Sequence, residues 1–156
     1  MIFLLDLSGS LKQEDMKYPL NYIKKVIREM DVSPESSRIA LITFSDTSHV
    51  QFTFDSYTNK YDVMHALDLV GYLGKGTKLA PALELARAIT LNQGRSSYEG
   101  FYHYFVVITD DLPSDLEASM KVSEVFYSFA SVMSYQIKRY ISSRFFFIFA
   151  GWLCTK

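Results

Sequence analysis

Five oxygen-bearing side chains stand at three points where the chain leaves an apolar run. Asp6, Ser8 and Ser10 alternate in Asp6-Leu7-Ser8-Gly9-Ser10, directly after the apolar residues 2–5. Thr77 follows the glycine-rich stretch Gly71-Tyr72-Leu73-Gly74-Lys75-Gly76. Asp110 comes just after the apolar run at residues 104–108. A donor set of oxygens with no Cys or His suits a hard cation, and Mg2+ takes such ligands octahedrally at about 2.0–2.1 Å while keeping some water. Three of the five donors are hydroxyls, which add no formal charge, so two carboxylates alone do not over-neutralise the ion. If the hydroxyls bind directly and the carboxylates act partly through water, the ion stays electrophilic, and an open position attracts a carboxylate from elsewhere.

These residues converge only if the elements behind them share one sheet edge. Residues 2–5 are a continuous apolar run and residues 38–44 are apolar through most of their length, as buried parallel strands require. Residues 49–54 alternate more and follow a turn at residues 45–48 short enough for an antiparallel hairpin. Residues 104–108 and 144–150 are two further strands. Between them, Met16, Leu20, Ile23, Ile27 and Met30 recur at helical spacing, with Pro19 delaying the start or kinking the helix. Residues 60–70 form a short helix; Leu79, Leu83, Ala86 and Ile89 mark another. Ser114 and Glu117 have capping-box spacing for a helix running through Met120, Phe126, Phe129 and Met133. Alternating strands and helices predict an α/β fold with a mostly parallel sheet covered on both faces. In such a sheet the loops after the strands open at one edge, and ligands bind there, where the strand order reverses.

The bulk numbers agree with one ordinary domain. The chain has 156 residues, 49% hydrophobic and 21% charged, with a formal net charge of −1. That charge offers no basic footprint for nucleic acid. Cys154 is the single cysteine, so no internal disulfide is expected. Residues 1–5 lack the basic start and long apolar stretch of a signal peptide. The apolar run at residues 145–150 is far short of the roughly 20 residues of a membrane span.

Three motifs carry a family resemblance. Asp6-Leu7-Ser8-Gly9-Ser10 resembles the DxSxS motif of the von Willebrand factor A family. Gly74-Lys75-Gly76-Thr77 with Pro81-Ala82-Leu83 resembles its GGGT…AL segment, and Val106-Val107-Ile108-Thr109-Asp110 its VVITDG segment. Residues 38–45 and 147–151 are similar to the family as well. The resemblance implies a Rossmann-like, doubly wound sheet with one antiparallel edge strand and helices on both faces, spanning residues 1–156 as one domain. It implies a metal-ion-dependent adhesion site at Asp6, Ser8, Ser10, Thr77 and Asp110, holding Mg2+, with Mn2+ or Ca2+ as alternatives. It further implies a non-enzymatic module whose partner is an extracellular-matrix or cell-surface protein offering Asp or Glu, and an extracellular or cell-surface setting. Two departures stand out. Asp111 replaces the family glycine, adding a carboxylate that favours Ca2+ or repels an acidic partner. The family also continues with one more helix and strand after the position of Gly151, so this chain is expected to be a fragment.

Simpler readings compete at each position. Ser10 and Gln13 have capping-box spacing. Thr77 can cap its own helix, and Asp110 can form a turn. The glycine loop lacks the GxxxxGK[ST] spacing of a phosphate loop. His49, His65 and His103 have no zinc spacing, while Lys24, Lys25, Arg28, Lys138 and Arg139 read as solvated helix faces. A magnesium-dependent phosphatase of the haloacid-dehalogenase type needs a second Asp where Ser8 stands, and no Ser–His–Asp set is evident. An intracellular scaffold built on the same fold is the remaining alternative.

Overall fold

The computed structural model describes residues 1–96, 99–128 and 146–152. Five strands form one sheet: β1 (Ile2–Asp6), β2 (Ala40–Phe44), β3 (Ser48–Phe52), β4 (His103–Thr109) and β5 (Phe146–Trp152). Their order is β3-β2-β1-β4-β5. β1 pairs in parallel with β2 and β4 on either side, and β3 pairs antiparallel with β2. The expected parallel centre and antiparallel edge are therefore both present. At the other edge β5 adds a second antiparallel pairing, running against β4 from His103↔Trp152 to Thr109↔Phe146.

β1 is buried along its whole length, as expected of a strand with neighbours on both sides and layers on both faces. Its side chains divide by the two-residue period of a strand. Phe3 and Leu5 join Leu41, Val106 and Ile108 against Ile23 and Ile27 of α1 (Lys17–Arg28) and Val63 and Leu67 of α2 (Lys60–Asp68). Ile2 and Leu4 join Ala40, Ile42, Phe105 and Val107 against Ala82, Leu83, Ala86 and Ile89 of α3 (Ala80–Gln93). α4 (Leu116–Ser128) lies against α3 and contributes Val122 to that second core. Helices thus cover both faces.

Some helix ends follow local chemistry and others differ from expectation. α1 starts at Lys17, which leaves Pro19 in the first turn, where the missing N–H has no intrahelical partner to lose. Asn59 caps α2, accepting from the amides of Tyr61 and Asp62 at 3.0 Å each. Ser10 and Gln13 form no capping box: residues 13–15 make a short 3-10 turn after Lys12, with no side-chain cap. Ser114 does not cap α4 either. Asp115 takes that place, its carbonyl accepting the Ser119 amide and its carboxylate the Ser119 hydroxyl. The expected β3 stops at Phe52, and Phe54 turns into the core. Phe129, Met133, Lys138, Arg139, Phe145 and Cys154, singled out in the sequence, lie outside the described residues.

His103 is the one buried histidine among the described residues, only 5% exposed at the start of β4. Its ring lies 6.2 Å from that of Phe54. Burial first, then the positive amino terminus, Arg38 and Arg95, lower its pKa from 6.5 to about 4. Between those values the unfolded chain binds the extra proton, so folding stability is intact above about pH 6.5 and declines as the pH falls towards 4. In urea titrations across that window, His103→Gln should show a shallower decline than the wild type. Equal slopes in the two proteins would mean that the ring is not held neutral.

Candidate metal centre

The reversal in strand order falls between β1 and β4. The chain leaves β1 towards α1 and β2, while β4 lies on the opposite side, so the loops after β1 and β4 diverge above a crevice. Asp6 ends β1, one step beyond the Leu5↔Ile108 pair. That register sets it beside Thr109, whose Oγ1 donates to Asp6 Oδ2 at 2.6 Å. Asp6 Oδ1 accepts the Ser8 amide at 2.8 Å. The Ser8 and Ser10 hydroxyls are 2.8 Å apart, and Ser10 Oγ donates to Asp110 Oδ1 at 2.9 Å. Asp6, Ser8, Ser10 and Asp110 therefore meet in one polar network, although a hundred residues separate the last two.

Thr77 reaches this edge through the backbone of its loop. Gly9 N donates to Lys75 O at 2.5 Å and Gly74 N to Leu7 O at 2.9 Å, so the glycine loop lies flat along the segment after β1. That closeness explains Gly9: a Cβ there would sit 3.2 Å from Lys75 N and 3.3 Å from Lys75 O. The loop turns through two consecutive left-handed residues, Gly74 at φ 70° and Lys75 at φ 73°. Lysine tolerates that region poorly, and it stands where the resembling motif has glycine. Thr77 does not cap α3. The residue at that position is Leu79, and the Leu79 and Ala80 amides donate to Oδ1 and Oδ2 of Asp115, each at 2.9 Å.

Asp111 turns back on its own loop. Its Oδ1 accepts the Leu112 amide at 2.7 Å, while its carbonyl lies 2.8 Å from Thr109 Oγ1. The extra carboxylate thus closes a turn where the family has glycine, and it remains on the exposed rim. Thr109 and Asp115 are the residues that sequence reasoning missed. Thr109 lies inside a motif whose pattern gives its hydroxyl no role of its own. Asp115 was hidden behind the stronger capping signal of Ser114 and Glu117.

The electrostatics favour a cation. Asp6 is 3% exposed, and burial raises its pKa; the Thr109 and Ser8 hydrogen bonds oppose that shift, and the charge of Asp110 adds to it. The hydrogen bonds to the two carboxylates come from hydroxyls and one backbone amide, which leave the pair's charge uncancelled. Among the described residues no three His, Cys, Asp or Glu side chains cluster as metal ligands, so any ion here relies on hydroxyls beside two carboxylates. Such an all-oxygen set fits a hard divalent cation. Ser8, which binds Asp6 through its amide, supplies no general acid for phosphoryl transfer.

The chain matches the von Willebrand factor type A domain over residues 1–140. It belongs to that family. Von Willebrand A domains are non-catalytic recognition modules, and the chain is one of them. It is 24% identical to human matrilin-3 over 118 residues, covering 74% of this chain and 24% of matrilin-3. It is 29% identical to the mouse collagen alpha-4(VI) chain over 113 residues, covering 72% of this chain and 5% of the collagen. It thus spans a quarter or less of the length of these curated relatives. Among solved structures it is similar to proximal thread matrix protein 1 of the mussel byssus with a zinc-occupied MIDAS motif, at 28% identity and a TM-score of 0.53, covering 61% of this chain and 26% of that one. Manganese-loaded TRAP protein of Plasmodium vivax shares the fold at 14% identity and a TM-score of 0.64, over 81% of this chain and 52% of that one.

A buried carboxylate with neutral partners weakens the fold that holds it. Asp6→Asn keeps the shape and removes the charge. Without divalent cations it should raise stability by roughly 1 kcal/mol, as relieving a functional site commonly does. Chemical denaturation in chelator measures this directly. A clear loss of stability would show that the bonds to Thr109 and Ser8 need the full charge and outweigh its burial.

Proposed function

We propose that Asp6, Ser8, Ser10, Thr77 and Asp110 hold a divalent cation, Mg2+ first with Mn2+ or Ca2+ as alternatives, and that the domain uses it to bind an Asp or Glu side chain of a partner protein. The observation that carries this reading is the unbroken chain from Ser8 through Ser10 to Asp110 beside a buried Asp6 whose hydrogen-bond donors are all neutral. The zinc-occupied MIDAS motif of the byssal protein supports a divalent ion in a domain of this kind.

A bound ion supplies one electrophilic position for an incoming carboxylate oxygen. The protein's residues do the rest. Thr109 and the Ser8 amide fix both oxygens of Asp6, so this carboxylate is oriented before any ion arrives. The Ser8 and Ser10 hydroxyls contribute oxygen without charge, which preserves attraction for an acidic partner. Around them Lys75, Asp111 and Leu112 form an exposed rim, with Leu112 73% exposed. Partner choice resides in this rim: an apolar residue flanking the acid meets Leu112, and Asp111 disfavours a second acid close by. A collagen chain and a thread matrix protein among the relatives support an extracellular setting. No helix among the described residues is long and apolar enough to cross a membrane.

Thermal unfolding with and without Mg2+ tests the ion site. A ligand that binds only the folded state at a hundred times its dissociation constant adds about 2.7 kcal/mol. The wild type should show a raised midpoint and Asp110→Ala none. A folded wild type that ignores Mg2+, Mn2+ and Ca2+ alike would end the cation reading. Partner capture that survives both chelator and Asp110→Ala would end the carboxylate-bridging mechanism.

A further inference from the structure

Asp115 and Ser114 stand outside the hydrogen-bonded network of Asp6, Ser8 and Ser10, yet they bind the Thr77 loop at successive points. The Thr77 carbonyl accepts two hydrogen bonds from Ser114, from its amide at 2.8 Å and its hydroxyl at 2.9 Å. Two residues on, the Asp115 carboxylate takes the Leu79 and Ala80 amides, one on each oxygen. The same carboxylate accepts the Ser119 hydroxyl in the first turn of α4 at 3.0 Å. Between these points Lys78 N donates to Ser45 O at 2.7 Å, tying the segment to the end of β2. Residues 77 to 80 are thereby fixed from two sides by loops that follow β2 and β4.

The geometry has a specific consequence. Asp110 and Asp115 share one loop, five residues apart, and that loop carries both the Asp110 carboxylate and the clamp on Thr77. A carboxylate at the N-terminus of α3 is favoured by the unpaired amides and the positive end of the helix dipole. Here it comes from Asp115, just before α4, instead of from the residue that precedes α3. The start of α3 therefore cannot shift unless the Asp110 loop shifts with it. A helix that supplied its own cap would leave the two loops joined only through Ser114 and the Thr77 carbonyl.

We propose that Asp115, assisted by Ser114, is a positioning residue: it sets the Thr77 hydroxyl at a fixed distance from Asp110 and so determines cation affinity without contacting the ion. The inference rests on the cation reading above. Groups that orient metal ligands typically change affinity ten- to a hundredfold when removed. Asp115→Asn retains the shape but can accept only one of the two α3 amides. Ser114→Ala removes one bond to the Thr77 carbonyl and keeps the other.

The test is Mn2+ titration by calorimetry on the chain and its Asp115→Asn, Ser114→Ala and Asp110→Ala variants, with circular dichroism to establish folding. Asp115→Asn should bind Mn2+ about tenfold more weakly, and Ser114→Ala more weakly by a smaller factor, both with wild-type spectra. A merely structural role would lower the metal-free midpoint and leave the dissociation constant of the folded protein unchanged. That result in both variants overturns the proposal, and if Asp115→Asn does not fold, Ser114→Ala alone decides. Wild-type affinity in Asp110→Ala, or none in the wild type, overturns the cation reading itself and this inference with it.

Discussion

A charge held at the end of a buried strand governs the arrangement. Asp6 belongs to β1, the strand at the centre of the sheet, and its carboxylate lies almost wholly out of water. Placing an ionised group there is unfavourable unless its oxygens are satisfied. The neighbouring structure meets that demand from two directions, the Thr109 hydroxyl across the β1–β4 crevice and the Ser8 amide from the turn that follows. Ser8 then leads to Ser10, and Ser10 to Asp110. The rim of the sheet is organised outward from this one carboxylate.

Much of the fold was legible because its signals are local and strong. Continuous apolar runs marked β1, β2 and β4, and the three- and four-residue spacing of Ile23 and Ile27 marked α1. A sequence pattern cannot say which strands are neighbours, and the direction of β5 was not readable either. An apolar strand with a partner on one side looks the same whichever way it runs. The pairing of β5 with β4 is a property of the assembled sheet.

The site was legible in its residue types and less so in its supports. Alternating Asp and Ser after a buried strand is a conspicuous arrangement, and Asp6, Ser8, Ser10 and Asp110 do come together. The supports use unremarkable residues in long-range bonds. Asp115 reaches amides thirty-five and thirty-six residues away, while the nearer Ser114 offered a capping pattern that outranked it on paper. Local rules assume that a helix is capped by its own chain neighbours. α3 is capped by the residue that precedes another helix, and no short window along the sequence contains both. Lys75 illustrates the converse: a residue poorly suited to a left-handed turn still adopts it because the Gly9 and Gly74 bonds on either side hold the loop there.

The alternation along β1 limits how such a domain can change over time. Phe3 and Leu5 belong to one core, Ile2 and Leu4 to the other. Deleting or inserting a single residue in this strand would exchange the two layers at once and rotate Asp6 away from the crevice. The central strand is therefore frozen in length and register. Lys75, Asp111 and Leu112 at the rim carry no comparable constraint from either core. Substitutions at that rim can therefore alter binding preference while the two cores and the register of β1 stay as they are.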